Sequence, residues 1–103
     1  MSLVIVATLF PKPEYRDDVI AVLEEVIGRV HAEDAGCELY SLNEGRDRLV
    51  MVEKWASPED LQAHSVSPAF QALTAALDGK MAAEMDVQVL QPHPAGTTGQ
   101  GQV

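Results

Sequence analysis

Residues 3–10, LVIVATLF, form an uninterrupted apolar run closed by Pro11 and Pro13. At that length, and with so many β-branched side chains, a strand buried on both faces fits best. Such a strand needs cover on each side, and this requirement shapes everything the rest of the chain can build.

Pro13-Glu14 opens a helix, with Asp17 and Asp18 in its early turns, where carboxylates favour the positive end of the dipole. Val19, Val22, Leu23, Val26, Ile27 and Val30 recur at spacings of three and four and give one apolar stripe. The helix should end near Ala35-Gly36. CELYSLN and RLVMVEKW then read as two strands joined by Glu44-Gly45-Arg46-Asp47, a hairpin-like loop in which the glycine would supply positive φ. In the second of these strands Leu49, Met51, Glu53 and Trp55 share one face, and Val50, Val52 and Lys54 the other. Ser57-Pro58-Glu59-Asp60 is a strong helix start, and Ser67-Pro68 resets the helix with a second cap. Phe70, Leu73 and Leu77 form the new apolar side and Gly79 is the stop. A last strand spans roughly Ala83–Leu90.

The order β-α-β-β-α-β is the ferredoxin-like, split-βαβ arrangement of the α+β class, an antiparallel sheet with two helices on one face. Helices on one side leave the other side bare, yet the first strand is apolar on both. A sheet-to-sheet homodimer is the natural solution. The expected organisation is a domain over residues 1–91 and a flexible tail over 92–103, because HPAGTTGQGQV has nothing to bury.

Composition excludes several classes. A net charge of −9 with scattered basic residues argues against nucleic acid, which needs clustered Lys and Arg. No stretch approaches the ~20 apolar residues of a membrane helix, and the N-terminus has neither a basic n-region nor a small-residue cleavage site, so it reads as mature sequence. One Cys builds no disulfide framework. A cytoplasmic location is the expectation. HExxH, CxxC, GxSxG, phosphate-cradling loops and nucleotide fingerprints are missing, and His31, His64 and His93 are too dispersed for a metal site. The expectation is an activity, if any, with no tightly bound cofactor and no metal.

The side chains that could carry chemistry cluster between Gly36 and Phe70. Trp55 reads either as an aromatic at the rim of the core or as the flat wall of a pocket that takes a planar aromatic by stacking. Glu53, two residues earlier on the same face, either pairs with a nearby Lys or Arg or lines that pocket. His64, three residues after Leu61 on one helix face, is either a structural donor to a backbone carbonyl or a general acid–base. Phe70 belongs to the core or to the pocket lining, and Tyr40 is half-buried and able to donate a hydrogen bond. His31 reads as structural, His93 as part of the tail, and Cys37 as a buried small residue.

Gly36-Cys37, Glu53-x-Trp55 and His64-x-x-Ser67-Pro68-x-Phe70, together with the element order over residues 3–91, resemble the antibiotic biosynthesis monooxygenase family of small dimeric α+β barrels. Family members include cofactor-independent quinol monooxygenases, polyketide-anthrone oxygenases, haem-degrading proteins, a signal-molecule isomerase and many proteins without known activity. The resemblance implies a homodimer acting on a small aromatic or quinol-like substrate with O₂. His64 would be the catalytic base, with Trp55, Phe70, Glu53 and Tyr40 binding substrate. Where the anthrone oxygenases have Asn four residues before the Trp, this chain has Met51. The haem-degrading members' His after the motif Phe and Asn on the first strand are also absent, which implies no haem. An isomerase or a small-molecule binding protein on the same fold is the alternative.

Overall fold

A computed structural model describes residues 2–103. The apolar run becomes β1, Leu3–Pro11, and occupies an interior position of a four-stranded sheet ordered β2-β3-β1-β4, with β2 at Cys37–Glu44, β3 at Leu49–Trp55 and β4 at Met81–Leu90. Every neighbouring pair is antiparallel. Three helices complete the chain: α1 (Arg16–Glu33), α2 (Pro58–Ser65) and α3 (Pro68–Leu77). This is the ferredoxin-like arrangement, with the second helical region split in two.

The split follows from the two Ser-Pro caps. Ser57 Oγ accepts the backbone N–H of Asp60 at 3.1 Å, and Ser67 Oγ accepts that of Phe70 at 3.2 Å. Each proline sits at the first helical position, where no N–H is needed. Gly79 has φ +78 and ends α3.

Some boundaries differ from the sequence reading. Pro13–Tyr15 forms a 3₁₀ turn, and α1 begins only at Arg16. β4 starts two residues before Ala83, because Met81 pairs with Pro11. Gly45 is not in the left-handed region. Its N–H donates to Arg48 O at 2.8 Å, and the Arg16 guanidinium donates to Gly45 O at 2.8 Å, so the loop is fixed by hydrogen bonds with ordinary backbone angles.

The core lies between the sheet and the helices. Ile5, Ala7 and Leu9 of β1 and Leu49, Met51 and Trp55 of β3 pack against Val19, Leu23, Val26 and Val30 of α1 and Leu73 and Leu77 of α3. The strict in–out alternation of β3 matches this one-sided cover. On the opposite face Val4 is buried, Val6, Val50 and Val52 are half-buried, and Val6 lies directly across from Val52. β4 is far more open: Val87 and Val89 are 49% and 58% exposed. Residues 91–103 contain no helix or strand. No helix among the described residues is long and apolar enough to cross a membrane.

Candidate functional site

The end of β3, the start of β2 and the hinge between α2 and α3 converge on one cluster. The alternation of β3 sends both Glu53 and Trp55 inward. Opposite them, the register pairs Tyr40 with Glu53 and Cys37 with Trp55. The short α2 carries His64 into the same space, and the Ser67 cap turns the chain so that Phe70 meets the His64 ring.

Trp55 is fully buried, with 0% exposure, and its indole N–H donates to Glu53 Oε1 at 3.0 Å. The imidazole of His64 lies over the indole, with centroids 4.4 Å apart and planes 30° from parallel. Tyr40 and Phe70 approach that imidazole edge-on at 5.3 and 5.4 Å. His64 itself is only 4% exposed, and its Nδ1 lies 2.6 Å from Asp34 Oδ2. The cluster thus holds two acids, an imidazole and three aromatic rings, all with packed neighbours.

Beside the cluster is a cavity of about 250 Å³ between sheet and helices. Ile5, Ala7, Leu9, Leu23, Met51 and Leu73 supply most of its apolar wall; Glu53, His64, Tyr40 and Phe70 also line it, with Met85 and Val87 of β4 at one side. The structure therefore brings all five residues singled out from the sequence into one cluster and sets four of them on the cavity wall.

Trp55 is the exception. The expectation that it forms the flat wall of the pocket is corrected: the imidazole of His64 covers one face of the indole, and the ring is absent from the cavity lining. It supports His64 and Glu53 from behind. Glu53 pairs with the indole N–H and not with a Lys or Arg. The hydrogen-bonding partner of the His64 ring is the Asp34 carboxylate and not a backbone carbonyl.

Electrostatics sharpen the roles. Burial pushes the Glu53 carboxyl from 4.5 up to about 7, with the Trp55 hydrogen bond acting in the opposite direction. Glu53 therefore sits near its own midpoint at neutral pH. Burial raises the Tyr40 phenol well above its ordinary value, and Glu53 adds to the shift, so the phenol stays neutral. The Cys37 thiol is raised too, first by burial and then by Glu53 and Asp34, which opposes thiolate formation. His31 lies outside the cluster, with Nε2 3.2 Å from Tyr40 O, and ties α1 to β2. His93 is exposed in the tail. Among the described residues, no three His, Cys, Asp or Glu side chains are grouped so as to hold a metal ion.

Asp34 is the residue that sequence reasoning missed. It caps the C-terminal end of α1, where a carboxylate opposes the helix dipole. That electrostatic misplacement is the single signal that could have drawn attention to it. Gly36, two residues later, has φ +81, and a Cβ there would collide with the Asp60 carboxyl. The tight turn after α1 and the start of α2 are thus packed on each other, which sets Asp34 against His64.

The model of the family described as antibiotic biosynthesis monooxygenase matches residues 2–76, a span that includes Asp34, Glu53, Trp55, His64 and Phe70. The chain belongs to the antibiotic biosynthesis monooxygenase family. A Mycobacterium tuberculosis protein with the name "Putative monooxygenase Rv0793" is 32% identical over 90 residues, covering 85% of this chain and 88% of that protein. The Rv0793 structure superposes with a TM-score of 0.85 and 25% identity, over 94% of this chain and 100% of its own. A Caulobacter crescentus structure described under the same family name gives a TM-score of 0.82 at 26% identity, over 86% of this chain and 87% of that one. A Nitrosomonas europaea structure, at 13% identity and a TM-score of 0.83 over 92% of this chain and 94% of its own, shows the shared fold alone. As a member of the antibiotic biosynthesis monooxygenase family, this chain has its inward-facing cluster inside the stretch that defines the family.

Proposed function

We propose that this protein is a cofactor-independent monooxygenase that oxidises a small quinol or related phenol with O₂. The observation that carries the reading is an apolar cavity in which an imidazole and a carboxyl near its midpoint face the same space. A dry cavity suits an electron-rich anion that must meet O₂ away from water. His64 takes the phenolic proton as general base. The resulting anion reduces O₂, and a C–O bond forms at a ring carbon. The O–O bond then breaks, the ring C–H proton is lost and one oxygen leaves as water. The sum is quinol plus O₂ giving hydroxylated quinone plus water. Glu53, in its acid form, donates a hydrogen bond to a second substrate oxygen. Phe70 and Tyr40 bound the ring, and Trp55 holds the two proton-handling groups in place.

The cavity is smaller than the ~300–1,000 Å³ usual for drug-sized ligands, so one or two fused rings fit this reading better than a larger polycycle. An oxygen electrode with one-, two- and three-ring hydroquinones tests it. Oxygen uptake above the protein-free rate with the smaller members is the expected result, and none with any member would sink the proposal.

A second reading has its own observation. Two proton-handling groups on one cavity also suit an isomerase, which would convert substrate without consuming O₂. A plain binding protein would show a ligand-induced thermal shift with no turnover. The homodimer belongs to the same proposal: the half-buried Val6, Val50 and Val52 make the uncovered sheet face apolar, and a second copy would cover it. A cytoplasmic location accords with the single cysteine.

A further inference from the structure

His64 belongs to two walls at once. One is the apolar cavity. The other is a surface cleft of about 350 Å³, whose acidic members are Glu33, Asp34 and Asp60. His64 is the one residue that the two spaces share. Asp34 does not line the apolar cavity; it reaches the imidazole from the cleft side, with Oδ2 at 2.6 Å from Nδ1 and its own side chain 9% exposed.

A carboxylate at that distance requires the proton on Nδ1, where it can be donated, and leaves Nε2 with its lone pair. The Trp55 indole beneath the ring and the edges of Tyr40 and Phe70 beside it keep the imidazole from turning. We infer that Asp34 is a positioning residue: from the cleft it fixes the tautomer of His64, so that Nε2 is the proton acceptor, and it balances the imidazolium formed when a phenol in the cavity gives up its proton. The step itself breaks the phenol O–H bond and forms Nε2–H, while Nδ1–H stays hydrogen-bonded to the carboxylate. Asp34 never touches substrate. Two acids thus lie on different sides of one imidazole, Glu53 on the apolar cavity and Asp34 on the cleft.

This inference rests on the phenol-oxidising reading for its substrate, so its test is separate from turnover. In protein labelled with ¹⁵N-histidine, the His64 ring is identified by its loss in His64→Ala. The expected neutral ring carries its proton on Nδ1. A proton found on Nε2 instead would overturn the inference without any variant of Asp34. Anaerobic titration with 4-nitrophenol, whose absorbance reports its phenolate, gives the second measurement. At fixed pH, Asp34→Asn should still bind the probe while its bound phenolate-to-phenol ratio falls at least ~10-fold, and Asp34→Glu should regain part of that ratio. An unchanged ratio in Asp34→Asn would contradict the assignment. If the wild type bound no phenol yet showed the Nδ1 proton, the phenol-oxidising reading would fail while the hold of Asp34 on His64 stood.

Discussion

Burial gives Glu53 a pH signature that falls at neutrality. Its folded carboxyl titrates near 7, against 4.5 for the ordinary group, so between these values the folded state binds more protons than the unfolded one. Stability from this residue is therefore fully present below pH ~4.5 and falls as pH rises toward 7. Glu53→Gln removes that slope. In urea titrations at pH 4.5 and 8, the wild type should lose up to about 3 kcal/mol relative to the variant across the window. A flat difference would show that the carboxyl is not desolvated. Trp55→Phe keeps most of the packing but deletes the indole donor that opposes the burial effect. Carbon NMR of the carboxyl should then place its midpoint higher than in the wild type. These roles were only partly legible in the sequence. Alternation along β3 put Glu53 and Trp55 on the inward face, but it reports side and not depth. It could not show that His64 would take the face of the indole that a substrate was expected to use. Asp34 and His64 are 30 residues apart and meet only through tertiary packing.

At the scale of elements, local chemistry was more readable. The two Ser-Pro pairs cap α2 and α3 as their residue types require, and the apolar run of β1 became an interior strand. The pairing of Met81 with Pro11 was less readable, because strand ends are set by the partner strand rather than by propensity. The turn after α1 offers a sharp test. Gly36→Ala meets both a positive φ and the Asp60 carboxyl, so it should cost about 2 kcal/mol or more, a fall in Tm of roughly 10 °C. Because the turn sets Asp34 against His64, the variant should also disturb the His64 ring signals. A melting temperature within a degree or two of the wild type would mean that the turn is not packed as described.

For the whole molecule, the covered and uncovered faces of the sheet carry different consequences. One face meets the helices and builds the cavity; the other presents Val6 and Val52 side by side on interior strands. If a second copy covers it, light scattering should give twice the 11.1 kDa chain mass. Val52→Lys, which places a charge at the centre of that face, should shift the equilibrium to monomer. A monomeric wild type at micromolar concentration would leave the apolar face without its proposed cover. The same sheet sets the open side of the cavity through β4, whose Val87 belongs to the cavity wall and is half-exposed.

The central claim is that the apolar cavity lets a deprotonated quinol react with O₂ and keep one of its atoms. Turnover of a two-ring hydroquinone under ¹⁸O₂, followed by mass spectrometry of the product, tests it most directly. The expected product carries one ¹⁸O, formed by the wild type and slowed ~10²–10⁴-fold in His64→Ala. A product without label, or labelled product formed as fast by His64→Ala as by the wild type, would contradict it.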